Sequence, residues 1–160
     1  MRRVFFVDDA PEILKHLQRT LAPMQSEWTM EFFPSAKSAL AAICQAPCDV
    51  VVSDMTMPGM DGAQFLTEVR KVSPQAIRII LSGDQSPVNY LRSASVAHRF
   101  LQKPVDAEVL KANIAQAEAL RAVLANPALR TLVSEIKALP SLPSIYQDLM
   151  QEMQSPQASL

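Results

Sequence analysis

Val50-Val51-Val52-Ser53-Asp54-Met55-Thr56-Met57-Pro58-Gly59-Met60-Asp61-Gly62 is the stretch on which the fold turns. Three consecutive valines followed by Ser53 show no polar alternation. Such a run reads as a strand buried on both faces, as in a parallel sheet. Asp54 closes the run, and Pro58-Gly59 makes a turn. Gly62 then opens a helical pattern in which Phe65, Leu66 and Val69 share one face.

On either side the same alternation repeats. Further β-branched or aromatic runs stand at residues 4–7, 29–33, 77–81 and 99–101. Between them Ile13, Leu14, Leu17 and Leu21 recur at helical spacing, as do Ala36, Leu40 and Ile43. The weakest helical stretch is residues 85–95, with only Val88, Tyr90, Leu91 and Ala94 to anchor it. A fifth helix is expected from Asp106, an N-cap residue type, with Glu108 in its first turn. It carries Val109, Leu110, Ile114 and Leu120 and should run to about Leu124. Five strands alternating with helices predict an α/β fold: a doubly wound, five-stranded parallel sheet over residues 1–124.

Residues 125–160 read as a C-terminal helical extension. Asn126-Pro127 is an N-cap and N1 pair, after which Leu129, Leu132, Val133 and Ile136 form one apolar stripe up to Pro140. Ser144 could start another helix, with Ile145, Leu149 and Met153 on one face. Two such stripes cannot bury themselves. They need the first domain, another chain or a further domain.

Composition narrows the function classes. With 160 residues and 49% hydrophobic residues, a full core forms without metals or disulfides. A net charge of −1 and no basic face argue against direct nucleic-acid binding. Arg2-Arg3 is expected to be a solvated strand entrance. Cys44 and Cys48 have no second pair or nearby His to complete a metal site, so they read as buried, reduced thiols. No segment reaches the roughly 18 apolar residues of a membrane span, and the four-residue run 4–7 is too short for a signal peptide. The expected location is the cytoplasm.

The strand ends carry the chemistry. In open α/β sheets, ligands bind beyond the carboxyl ends of the strands. There stand Asp8-Asp9, Asp54, Ser82-Gly83 and Gln102-Lys103-Pro104. Converging carboxylates repel by roughly 4 kcal/mol per pair at about 4 Å and an effective dielectric near 20. Protonation or a divalent cation relieves this, and an all-oxygen, solvent-open site suits Mg²⁺. Lys103 can reach a phosphate oxygen and Ser82 offers a hydroxyl. With Asp54 as nucleophile, these groups meet the needs of phosphoryl transfer onto a carboxylate.

Val7-Asp8-Asp9, Asp54 to Gly62, Leu81-Ser82-Gly83 and Phe100-Leu101-Gln102-Lys103-Pro104 together resemble the receiver domain of bacterial two-component response regulators, a CheY-like, flavodoxin-like fold. The resemblance implies that Asp54 is the phosphoacceptor, supplied by a sensor histidine kinase. It implies Mg²⁺ bound by Asp9 and Asp54, by Asp8 mainly through water, and by the backbone carbonyl of Thr56. It assigns Lys103, joined to Pro104 by a cis bond, to the phosphoryl oxygen. Ser82 would shift toward the phosphoryl group and Phe100 would turn inward with it. The family's catalysis is confined to its own phosphotransfer and dephosphorylation, so no other enzyme activity is expected. Many members have Thr where Ser82 stands and Tyr where Phe100 stands, which leaves Phe100 to couple through packing. Residues 93–98 lack the family's usual Gly-Ala turn.

Two other classes make different demands on the sequence. A haloacid-dehalogenase-like phosphohydrolase would need a second Asp two residues after Asp8, where Ala10 stands. A phosphorylation-independent scaffold would not need the complete acidic set. His16 and His98 are read as surface residues, and Met55, Met57 and Met60 as packing. The segment around Leu139-Pro140-Ser141-Leu142-Pro143 resembles the opening of HDOD domains, relatives of HD phosphohydrolases that lack the metal ligands. No His-Asp dyad occurs in these 160 residues. The chain is therefore expected to be the start of a longer receiver–HDOD regulator, with a homodimer through the tail helices as the alternative.

Overall fold

The computed structural model describes residues 1–84 and 86–125. Each apolar run of the sequence is a strand, one or two residues longer than its hydrophobic stretch. β1 (Arg2–Val7), β2 (Trp28–Phe33), β3 (Val50–Asp54), β4 (Ile77–Ser82) and β5 (Arg99–Gln102) form one sheet in the order β2-β1-β3-β4-β5. All pairings are parallel. The connections are α1 (Pro11–Thr20) with a 3-10 turn at Ala22–Ser26, α2 (Ala36–Gln45), α3 (Gly62–Val72), α4 (Pro87–Ala94) and α5 (Ala107–Ala125). This is the doubly wound, flavodoxin-like arrangement.

Period-two alternation on β1 divides the core into two layers. Val4 and Phe6 join Val50, Val52, Ile77 and Ile79 beside Leu17 of α1 and Leu110 and Ile114 of α5. Phe5 and Val7 join Val51 and Ile80 beside Ile43 of α2 and Phe65, Leu66 and Val69 of α3. Each fully buried side chain of this size stabilises the fold by roughly 1.5–3 kcal/mol. The register Val4↔Val50 and Val50↔Ile77 levels the three central strands, so their carboxyl ends share one edge.

Several expectations need correction. α4 forms, but Val88 and Leu91 are exposed and do not anchor it. Its holds are polar: the Ser86 hydroxyl caps Asn89, and buried Ser93 bonds the Tyr90 carbonyl. His98 is 3% exposed and is not a surface residue. Its Nδ1 accepts from the backbone N–H of Arg78 at 3.0 Å. Arg78 is itself buried within β4 and donates to the carbonyls of Val96 (2.7 Å) and Ala76 (3.0 Å). Without the family's usual glycine, residues 93–98 still close a turn, with Ala97 N–H bonding the Ser93 carbonyl at 2.7 Å. Cys44 is exposed, because it lies off the stripe of Ala36, Ala39 and Ile43, whereas burial pushes the Cys48 thiol up to about 12. Arg3 is half-buried, paired with Glu31 at 2.7 Å and stacked over Phe5. The readings of residues 126–160 lie outside the described residues.

Candidate functional site

The strand order reverses between β1 and β3, and the crevice of an α/β sheet opens at such a reversal. Asp8 is the first residue after β1 and Asp54 is the last of β3, so the sheet itself sets these two carboxylates side by side. Both are buried, at 3% and 7% exposure, while Asp9 is exposed. One carboxylate oxygen from each of Asp8, Asp9 and Asp54 lies within 4.8 Å of the others. This is the one such cluster among the described residues.

Lys103 reaches the same point from the end of β5. Its backbone N–H bonds the Ser82 carbonyl at 2.8 Å, which ties the two strand ends together. Its Nζ stands 2.6 Å from Asp54 Oδ1 and 2.7 Å from Asp8 Oδ2. The Lys103–Pro104 peptide bond is cis. The remaining carboxylate oxygens take backbone donors: Asp54 Oδ2 accepts from Thr56 N–H at 3.0 Å, and Asp8 Oδ1 from Ala10 N–H at 2.9 Å.

The loop after Asp54 is held by close packing. Gly62 N–H bonds the Met55 carbonyl at 2.8 Å, and Met55 N–H bonds the Leu81 carbonyl at 2.9 Å. A Cβ on Gly62 would lie 2.3 Å from the Asp54 carbonyl oxygen, so only glycine lets α3 start this close to β3. Asp61 and Gln64 form a reciprocal capping box at that start. Gly59 adopts φ +79°, the left-handed conformation that the turn demands. Met55 and Met57 are buried and Met60 packs on the same core, as read from the sequence.

The electrostatics of the pocket are unbalanced. Burial raises the Asp54 carboxyl above its ordinary value, against the downward pull of Lys103, and the neighbouring Asp8 adds to the rise. Burial alone would favour a neutral amine on Lys103, yet hydrogen bonds and charge from Asp54 and Asp8 overcome it and raise its pKa. The ammonium is therefore held charged, and it does not fully offset its partners. Three carboxylates against one ammonium leave a formal charge of −2 when all four are ionised. An oxygen-only donor set with that deficit, opened to solvent through exposed Asp9 and Thr56, fits a hard divalent cation.

This chain matches the response regulator receiver domain over residues 4–115. It belongs to that family. The receiver is 32% identical over 129 residues to the C4-dicarboxylate transport transcriptional regulatory protein DctD of Rhizobium meliloti, covering 79% of this chain and 28% of DctD. The chain thus spans under a third of the length of such curated relatives. Among solved structures, it resembles the signal receiver domain of an HD domain-containing protein from Pseudomonas fluorescens Pf-5. There the TM-score is 0.71 at 28% identity, covering 76% of this chain and 97% of that one. The beryllofluoride-activated NtrC4 receiver domain dimer is similar too, with a TM-score of 0.69 and 26% identity over 76% of this chain and 99% of that one.

Of the residues singled out in the sequence, Asp8, Asp9, Asp54 and Lys103 converge, and Thr56 adjoins them through its backbone N–H. Ser82 ends β4, is 1% exposed, and engages Asp84: its hydroxyl donates to the Asp84 carbonyl at 2.9 Å and accepts from Asp84 N–H at 3.2 Å. Phe100 is half-buried on β5 and packs against the core layer of Phe65 and Ile80, with its ring centroid 5.5 Å from that of Tyr90. Sequence reading missed Asp84, Asn89 and Arg92. Asp84 Oδ2 accepts from Asn89 Nδ2 at 2.9 Å, and Arg92 Nη2 pairs with Asp61 Oδ2 at 2.5 Å. The Asp84-x-Ser86-Pro87 spacing, an Asx turn leading into a capped helix, could have revealed the first two.

Proposed function

We propose that this receiver is a phosphorylation switch in which Asp54 accepts a phosphoryl group from the phosphohistidine of a sensor histidine kinase. The observation that carries the reading is Lys103 Nζ, placed 2.6 Å from Asp54 and 2.7 Å from Asp8 at the sheet's reversal point. An Asp54 carboxylate oxygen attacks phosphorus as the P–N bond breaks, and the departing imidazole takes up a proton. Lys103 then meets a phosphoryl oxygen, and Ser82 meets another once it leaves Asp84. Mg²⁺ would be held by Asp9 and Asp54 directly, by Asp8 through water and by the Thr56 carbonyl, and it would neutralise charge on the transferring group. Phosphorylation adds charge and acceptor oxygens, so the arrangement of Ser82 and Phe100 that satisfies them gains population. The activity stops at this self-directed transfer and the later hydrolysis of the acyl phosphate.

The test is intact-mass spectrometry after incubation with Mg²⁺ and phosphoramidate. One hydroxylamine-labile phosphoryl group is expected on the wild type and none on Asp54→Asn. Equal labelling of both proteins overturns the assignment.

The reading extends to the rest of the chain as proposals. Residues 1–124 are taken as the receiver and 125–160 as the entrance to an HDOD-type output, supported by the Leu139-Pro140-Ser141-Leu142-Pro143 motif. No helix among the described residues is long and apolar enough to cross a membrane, in keeping with a cytoplasmic regulator. A phosphorylation-linked homodimer is supported by exposed Val88 and Leu91 on α4 and by the NtrC4 receiver, which is a dimer when activated by beryllofluoride. Sedimentation with and without beryllofluoride reads this directly, and a monomer in both conditions rejects it.

A further inference from the structure

The Ser82 hydroxyl proton is committed in this structure, and the partner is a single residue. It donates its one proton to the Asp84 carbonyl at 2.9 Å while accepting from Asp84 N–H at 3.2 Å. A serine hydroxyl has no second proton to give. Bonding to the Asp84 carbonyl and bonding to a phosphoryl oxygen therefore exclude one another. Whatever stabilises the first arrangement opposes the second.

The Asp84 side chain does this. Its Oδ1 accepts from Ser86 N–H at 2.9 Å and its Oδ2 from Asn89 Nδ2 at 2.9 Å. Ser86 in turn caps α4, accepting from Asn89 N–H at 3.3 Å. The carboxylate thus ties the β4–α4 connection to the first turn of α4, and the backbone it fixes is the backbone that Ser82 holds. Both acceptor bonds use a charged group, the stronger class of hydrogen bond.

We propose that Asp84, with Asn89, is a latch that keeps Ser82 turned away from the phosphoryl site and so sets how readily the receiver switches. Asp84 is a positioning residue: it acts through Ser82 and touches no reacting atom. The inference rests on the Ser82 role given under Proposed function. Apparent affinity for a ligand that needs the switched state falls in proportion to that state's resting population. Releasing the latch should raise that population and tighten binding.

The experiment is calorimetric titration of the full chain with beryllofluoride and Mg²⁺, a mimic of the phosphoryl group on a carboxylate. Asp84→Ala should bind about tenfold more tightly than the wild type, the scale of one charge-assisted hydrogen bond. Asn89→Ala should shift affinity in the same direction by less, and it serves if Asp84→Ala does not fold. Exchanging donor and acceptor in Asp84→Asn/Asn89→Asp should restore wild-type affinity. In a Ser82→Ala background, Asp84→Ala should change nothing, because the latch then has no hydroxyl to hold. An unchanged or weaker affinity in folded Asp84→Ala and Asn89→Ala overturns the latch while leaving Asp54 in place. So does an equal gain with and without Ser82. Absence of binding by the wild type overturns both the latch and the phosphoacceptor reading.

Discussion

Acidifying the solution should weaken this fold through His98 in particular. The ring is 3% exposed, and its Nδ1 accepts the Arg78 backbone N–H at 3.0 Å. A neutral ring has one acceptor nitrogen, and with it turned to the backbone N–H the Nε2–H stands 3.1 Å from Arg78 Nη2, which is also a donor. A second proton would break the Nδ1 bond and bury a second cation beside the guanidinium. Burial, then the charges of Arg78 and Arg99, lower the His98 pKa from 6.5 to about 3. Between those values the unfolded chain binds a proton that the folded chain refuses. The stability is present above about pH 6.5 and is lost as pH falls toward about 3. Integrated from about pH 8 to about pH 5, the loss is about 2 kcal/mol. Asp54 has the opposite sign: its raised pKa means that its burial penalty is relieved as pH falls, and it contributes equally to any His98 variant. Urea unfolding of wild type and His98→Asn across this range isolates the effect. The wild type should lose about 2 kcal/mol more than the variant. Parallel pH profiles for the two proteins would refute the buried, neutral imidazole.

Two further predictions concern the site. Gly62→Ala must push α3 away from β3, since its Cβ would stand 2.3 Å from the Asp54 carbonyl oxygen. The expected cost is about 1–3 kcal/mol in denaturant unfolding, and a loss under about 0.5 kcal/mol would show that the contact relaxes freely. Mg²⁺ at ten times its dissociation constant should stabilise the wild type by about 1.4 kcal/mol, read as a rise in Tm. Asp9→Asn, at an exposed position, should abolish most of that gain without unfolding the protein, and an undiminished Mg²⁺ effect in it would remove Asp9 from the metal site.

How much the sequence revealed depended on the kind of interaction. The strands were legible because a two-sided parallel sheet leaves unbroken apolar runs such as Val50-Val51-Val52. The acidic pocket was legible because strand ends are fixed by topology once the runs are found, so Asp8, Asp54 and Lys103 could be placed without coordinates. Buried polar contacts were not. Arg78 sits inside the run 77–81 and looks like a lapse in it, yet carbonyls of Val96 and Ala76 satisfy its guanidinium. His98 read as a surface residue because nothing in a linear pattern announces that Arg78, twenty positions earlier, will meet both of its nitrogens. α4 is weak in the sequence for a physical reason, since its apolar residues Val88 and Leu91 face solvent. Its stability comes from the Ser86 cap and the Asp84 and Asp61 side chains, which hydropathy does not register.

The location of the phosphoryl group decides whether Asp54 is the acceptor. Borohydride reduction turns an aspartyl phosphate into homoserine, and tandem mass spectrometry of the digested, phosphorylated chain then finds the converted residue. Homoserine is expected at position 54 alone, with the yield falling sharply in Lys103→Ala. Conversion at position 8 or 9, or a phosphate that resists reduction and maps to Ser82, would contradict the assignment.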